Sequence, residues 1–147
     1  MSPKILALVI ALVAGISMAI QGSINTKLGQ VIGNWEAILV VQVVGLATIL
    51  VLLFVFGVGQ GNLSLITQGP WYSLLGGLIG VLIVWGVVSS IPKLGVAVAT
   101  TSIIVGQTLT ALIIDHFGLF GLSPAPFTWL KGLGLVLLAA GAGLLLG

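Results

Sequence analysis

The stretch AILVVQVVGLATILVLLFVF, residues 37–56, decides the fold class of this chain. It contains no charged side chain and only two polar ones, a glutamine and a threonine. A helix of about 20 apolar residues crosses the hydrocarbon core of a bilayer, whereas a run of about 10–14 is more typical of a buried core helix. The segment therefore predicts a membrane-spanning helix over about residues 35–56.

The rest of the chain has the same character on both sides of this segment. The 147 residues are 59% hydrophobic and 4% charged, and their apolar runs predict four more spans, at about residues 3–25, 71–91, 94–115 and 127–146. The runs are too long and too unalternating for a barrel, and an open strand edge cannot face lipid. We therefore expect an all-α integral membrane protein, a single transmembrane domain over residues 1–147 whose first partner is the lipid bilayer.

The composition also excludes several classes of function. There is no cysteine and no arginine, and the four lysines are isolated, so the chain lacks thiolate ligands and the basic cluster that nucleic acids require. No Ser-His-Asp spacing, H-E-x-x-H motif or phosphate-binding glycine loop occurs. We expect no enzyme activity, no cofactor and no metal.

The lysines are balanced across the predicted membrane. Lys4 and Lys131 lie on the N-terminal side, and Lys27 and Lys93 lie on the opposite side. Orientation normally follows an excess of positive charge on the cytoplasmic side, and here there is none. The balance predicts insertion in both orientations and an antiparallel homodimer of two inverted copies. In the alternative, the N-terminal amine or a partner protein sets one orientation.

Polar residues within the spans are candidates for a substrate site. Ser17, Gln21 and Asn25 stand four residues apart on the first span, and Thr100 and Gln107 lie at helical spacing on the fourth, with Gln107 near the middle of the bilayer. We expect these two stripes to face each other and to line a cavity for a small polar solute. The alternative is that they only form hydrogen bonds between helices.

Two carboxylates are candidates for ion or proton coupling, because proton transfer in a membrane usually needs an ionisable group. Glu36 falls after the first span and Asp115 at the end of the fourth. Both could simply be solvated at the membrane surface. His116, beside Asp115, is more often an ordinary polar residue of a loop.

Glycines at regular spacing indicate close helix contacts. Gly15, Gly22 and Gly29 recur every seven residues on the first span, and Gly76 and Gly80 form a G-x-x-x-G pair on the third.

Several short motifs resemble one family. They are Gln21 with Asn25, Leu28 and Gly29; Gly76-Gly77 with Gly80; Pro92 with Leu94-Gly95; Gly106-Gln107; and, most specifically, D-H-F-G-L-F-G at residues 115–121. Together they resemble the YdcZ-type small membrane proteins of the drug/metabolite transporter superfamily. The resemblance covers nearly the whole chain and implies an exporter of the bacterial inner (plasma) membrane, with five spans per chain. A ten-span transporter of that superfamily is built from two inverted five-span repeats, so the chain resembles one such repeat.

Some features depart from the patterns of related families. Lysines 93 and 131 stand where this family often has arginine, and the membrane-embedded glutamate that small multidrug resistance proteins carry in their first helix is absent. A proton-antiport mechanism for hydrophobic cations therefore does not carry over. The resulting hypothesis is a secondary transporter of a small solute, an antiparallel homodimer working by alternating access. The alternatives are a dual-topology channel and a structural or accessory subunit.

Overall fold

A computed structural model describes residues 2–146, and over that range it contains five α-helices and no strand. The helices are α1 (Pro3–Ile32), α2 (Asn34–Leu50), α3 (Leu75–Leu94), α4 (Val96–Phe117) and α5 (Trp129–Leu146). A π-helical turn, Val51–Val55, extends α2, and short 3-10 turns occur at Leu63–Gln68, Trp71–Leu74 and Leu119–Gly121. With these extensions, all five helices are long and apolar enough to cross a membrane. The predicted all-α, five-span fold class is confirmed.

Helix α1 is longer than the span predicted for it. It continues past Asn25, where the predicted span ends, to Ile32. Its 30 residues correspond to about 45 Å, more than the hydrocarbon thickness of about 30 Å. Lys4 and Lys27 lie about 35 Å apart along this helix, so each can reach a different membrane surface without a break in the helix. A helix of this length along the membrane normal extends beyond the hydrocarbon.

A single glycine separates α1 from α2. Gly33 has φ 101° and ψ 148°, a region of backbone space that is essentially open only to glycine. Its N–H donates to the Gly29 carbonyl at 2.9 Å, and its own carbonyl accepts from the Ala37 N–H at 3.0 Å. The chain thereby ends one helix and begins the next with no loop between them.

The chain divides into two compact units, the first ending at Ser89 and the second beginning at Ser90, within α3. In the first unit α1 packs against α2. The buried residues of α1 follow the i, i+3, i+4, i+7 pattern of one helix face. They are Gly22, Asn25, Thr26 and Gly29. Because lipid solvates apolar side chains, this face is made of small and polar residues.

Gly29 is a point of close approach between α1 and its neighbours α2 and α3. A Cβ at this position would lie 2.8 Å from Asn34 Oδ1 and 2.8 Å from Val88 Cγ1. Val88 is only 1% exposed and, being β-branched, has little freedom to move away. The absence of a side chain at Gly29 therefore lets α2 and α3 approach α1. A Cβ at Gly15, by contrast, would meet nothing within 4 Å.

In the second unit α4 packs against α5. Helix α4 ends at Gly118, which has left-handed backbone angles (φ 60°, ψ 39°) and donates its N–H to the Ile114 carbonyl. This is the common glycine cap of a helix C-terminus. The segment between α4 and α5 then turns back toward the end of α4, and the Ala125 N–H donates to the Asp115 carbonyl at 2.7 Å.

The two glycines of α1 provide a matched test of this packing. Gly29→Ala should lower stability by about 1–3 kcal/mol, because the added methyl group overpacks the contact with Val88 and Asn34. Gly15→Ala should leave stability unchanged or raise it by about 0.5–1 kcal/mol, because alanine is the better helix former and the space is open. Thermal unfolding of the purified protein in detergent measures both, and equal effects would show that α1 does not pack through Gly29.

Candidate functional site

The three predicted polar residues of α1 do not all lie on its buried face. Ser17 and Gln21 are exposed, whereas Asn25 is 6% exposed. Each step of four residues advances about 400° around a helix, so two steps displace a side chain by about 80°. The Ser17 hydroxyl donates to the Val13 carbonyl at 2.9 Å. Of the three predicted residues on α1, only Asn25 therefore lies inside the chain.

Thr26 lies beside Asn25 on the buried face and is 5% exposed. Its hydroxyl makes no hydrogen bond to any residue within 2–146. Other hydroxyls on the helices donate to the carbonyl four residues earlier, a usual arrangement for serine and threonine in helices. These are Ser17, Ser23, Thr48, Thr101 and Thr110. Thr26 departs from this pattern at a buried position, where an unmet hydroxyl costs about 1–3 kcal/mol.

Residues of α2 and α3 meet near the Ile32 end of α1. The Asn34 side chain lies over Gly29 and donates from Nδ2 to Ser89 Oγ at 3.4 Å. The Trp35 and Trp85 rings stack with their centroids 6.0 Å apart and an interplanar angle of 20°. Both rings are substantially exposed, as expected for tryptophan at the boundary between hydrocarbon and water.

The predicted residues of the fourth span lie in the second unit. Thr100 is half-buried on α4, and Gln107 is exposed. The expectation that they face the α1 stripe stays a prediction.

The two carboxylates lie near helix ends. Glu36 is exposed in the first turn of α2, where the helix dipole favours a negative charge. Its carboxylate folds back so closely on Gly33 that a Cβ there would overlap Oε2. Asp115 is half-buried in the last turn of α4.

The D-H-F-G-L-F-G motif forms the turn at the end of α4. Gly118 and Gly121 have positive φ angles of 60° and 79°, and Phe120 also has φ 60°. A positive φ is rare for a bulky residue, and Phe120 adopts it with its side chain 66% exposed. A Cβ at Gly118 would lie 2.7 Å from Pro124 Cγ and 2.9 Å from the Leu122 carbonyl oxygen. The motif therefore encodes a tight, packed turn.

The next segment is tied to both helices of the second unit. The Phe127 N–H donates to His116 Nδ1 at 3.3 Å, and Lys131 Nζ donates to the Pro126 carbonyl at 3.1 Å. The His116 ring also packs edge-on against the Phe117 ring, with centroids 4.8 Å apart. His116, expected to be an ordinary polar residue of a loop, lies instead in the last turn of α4 and accepts a hydrogen bond from the backbone of this segment.

The sequence over residues 6–144 matches the family model described as "Putative inner membrane exporter, YdcZ". The chain belongs to the YdcZ family. The match includes all or most of each described helix, so the resemblance found from the motifs is confirmed, as is assignment to the inner membrane as a multi-pass protein. No curated protein and no solved structure matches the chain.

Thr26 and Asn34 are the polar residues of this YdcZ protein that sequence reasoning missed. The available signal was the i, i+3, i+4, i+7 spacing of Gly22, Asn25, Thr26 and Gly29, since small residues rather than apolar ones mark the packed face of a membrane helix. A search for polar residues in steps of four follows a different line around the helix.

The two glycines of the motif provide a second matched pair. Gly118→Ala should cost about 2 kcal/mol or more, because a left-handed conformation costs an L-residue about 1–2 kcal/mol and the methyl group would also collide with Pro124. Gly121→Ala should cost only the free energy of the positive φ angle, since a Cβ there meets nothing within 4 Å. Thermal unfolding in detergent should rank Gly118→Ala as the more damaging change. The opposite order would contradict this packing of the turn.

Proposed function

We propose that this YdcZ-family protein is a secondary transporter that exports a small solute, and that two oppositely inserted copies form the working unit. The assignment of the family to inner-membrane exporters supports transport in general. The proposal adds the dimer, the site and alternating access, in which one half moves against the other around a fixed site.

The observation that carries the proposed site is the buried polar pair on α1. Asn25 and the unpaired hydroxyl of Thr26 are both about nine-tenths or more buried, although neither residue supports the helix better than an apolar one. Because a buried hydroxyl without a partner is unfavourable, its presence is explained if a polar ligand group completes it during transport. We place Asn25 and Thr26 at the site, with Gln21, Ser17, Gln107 and Thr100 as further candidate lining residues.

The chemistry of this pair favours uncharged polar groups of the solute. A carboxamide and a hydroxyl can each donate and accept a hydrogen bond, and neither can neutralise a charge. A full charge brought to them would lose its hydration without an opposite charge in return. Glu36 and Asp115, which lie near helix ends, remain the proposed carboxylates for coupling to an ion or proton.

Three features support the second copy. The lysines are balanced, and the continuous helix α1 can still present Lys4 and Lys27 at opposite membrane surfaces. Few residues of each helix are buried. The glycines Gly76 and Gly80 of α3 face open space, since a Cβ at either would meet nothing within 4 Å. A helix of another copy could approach closely there.

The orientation of the chain can be measured with cysteines, because the natural sequence has none. Gln60→Cys lies between α2 and α3, and Gly147→Cys lies at the other end of an odd number of spans, so the two report opposite membrane sides. Labelling of intact cells with a membrane-impermeant thiol reagent should modify about half of each population, because the balanced lysines give no preferred orientation. Permeabilised cells provide the control for full reaction. Complete labelling of one site and none of the other would rule out the homodimer of inverted copies.

The site can be tested once a transported compound is found by screening toxic solutes against cells that overproduce the protein. Thr26→Val should then reduce efflux by about tenfold, the effect of losing one hydrogen bond of about 1.5 kcal/mol. Its thermal stability should be unchanged or higher, because the hydroxyl has no partner within the chain. The control is Thr48→Val, which removes an exposed hydroxyl bonded to the Val44 carbonyl and should transport normally. Normal efflux by Thr26→Val would remove Thr26 from the site, and a loss of stability would assign it a structural role.

A further inference from the structure

The segment at residues 118–128 is here called the strap, and its residues Ala125, Pro126 and Phe127 form three hydrogen bonds with the helices of the second unit. Two of them use groups that do not change their role near neutral pH: the Ala125 N–H on the Asp115 carbonyl at 2.7 Å, and Lys131 Nζ on the Pro126 carbonyl at 3.1 Å. The third joins the Phe127 N–H to His116 Nδ1 at 3.3 Å. This third bond depends on the protonation state of a side chain.

The direction of the third bond fixes the state of the imidazole. A backbone N–H can only donate, so Nδ1 must accept and must carry no proton. The strap seen here therefore requires a neutral His116 with its single proton on Nε2. A second proton on Nδ1 would remove the acceptor and turn two donors toward each other. Histidine is the side chain whose charge normally changes between about pH 5 and 8.

His116 lies beside the strap and α5. It lines a cavity of about 390 Å³ together with Phe117, Phe127 and aliphatic side chains of α4 and α5. The imidazole is exposed, so loss of the Nδ1 acceptor, rather than burial of a charge, is the effect of protonation that acts on the strap.

The ionisable groups near His116 are few. Asp115 precedes it on α4, and Lys131 is the ionisable group of α5. The strap itself, GLFGLSPAPFT, contains none. Asp115 and Lys131 are therefore the other titratable side chains of these three elements.

We infer that His116 is a proton-binding site that fastens the strap when neutral and releases it when protonated. The sign follows from the bond: the fastened strap requires the unprotonated ring, so it is stable at high pH and is lost as the pH falls. Where this change couples to transport, the inference rests on the proposed function and makes the proton the coupling ion. The strap's response to pH does not depend on any transported solute.

The response can be measured on the purified full-length protein in detergent with a thiol reagent. Ala125→Cys places a reporter at a half-buried strap position, and Gln60→Cys places a reference thiol in the exposed connection between α2 and α3. The ratio of their labelling rates cancels the general effect of pH on thiol reactivity. Between about pH 8 and pH 5.5 this ratio should rise about fivefold or more, because losing about 1 kcal/mol changes a population by about that factor.

Two substitutions of His116 test whether this residue is responsible. His116→Asn retains an acceptor close to the position of Nδ1 and does not titrate, so the ratio should stay low at every pH. His116→Phe retains a ring without an acceptor, so the ratio should stay high at every pH. Ala125→Cys and Gln60→Cys are each combined with both variants, and the labelling measurement needs no known substrate.

The outcomes separate this inference from the proposed function. A flat ratio in the parent protein, or the same rise in His116→Asn, would overturn the inference. A ratio that rises in the parent and is flat in both variants would support it. If the strap then responds to pH but no solute is ever transported, the proton site stands and the proposed function fails. If transport occurs with a strap that is insensitive to pH, the reverse holds.

Discussion

Hydrocarbon offers no hydrogen bonds, and this constraint determines how the chain is organised. Every peptide group at membrane depth must be paired within its own helix, so the described chain is almost entirely helical and its irregular backbone is confined to the connections. The same constraint makes helix ends unfavourable, because they leave backbone N–H and C=O groups without partners. At Gly33 the chain starts a new helix at once, and at Gly118 a glycine with left-handed backbone angles caps α4. At Gly33 the backbone geometry alone reverses the chain, whereas after Gly118 the segment between α4 and α5 completes the reversal.

Apolar side chains cannot direct helix packing in this environment, because lipid accommodates them equally well. Small residues do so instead, and the role of Gly29 illustrates how. Its missing side chain lets Val88 and Asn34 approach α1, and the residues brought inside with it include Asn25 and Thr26. The packing of the first unit and its buried polar pair therefore have one origin. The face of α1 that makes the close contact thus also carries Asn25 and Thr26, which we propose for solute binding.

The two units differ in the polar chemistry they present. In the first, the buried groups are a carboxamide and a hydroxyl, which are uncharged at any physiological pH and can only select a ligand by hydrogen bonding. In the second, the strap at the end of α4 brings a histidine into a hydrogen bond that only its neutral form can make. The buried polar pair proposed for solute binding therefore lies in the first unit, and the proposed proton site lies in the second.

The sequence by itself determined the membrane environment, the number of helices and the family, because each follows from composition, run length and local motifs. It also determined the balance of lysines, on which the inverted pair is proposed. Helix α1 continues beyond its predicted end at Asn25, because Gly29 lies inside the helix and the backbone breaks only at Gly33. Only the tertiary structure decided that Asn25 and Thr26 face inward while Ser17 and Gln21 face outward, because a drift of about 40° per four residues becomes visible only when a neighbouring helix fixes the buried face. Only the tertiary structure likewise showed the role of His116, because its hydrogen bond joins it to Phe127, which lies eleven residues later in the chain.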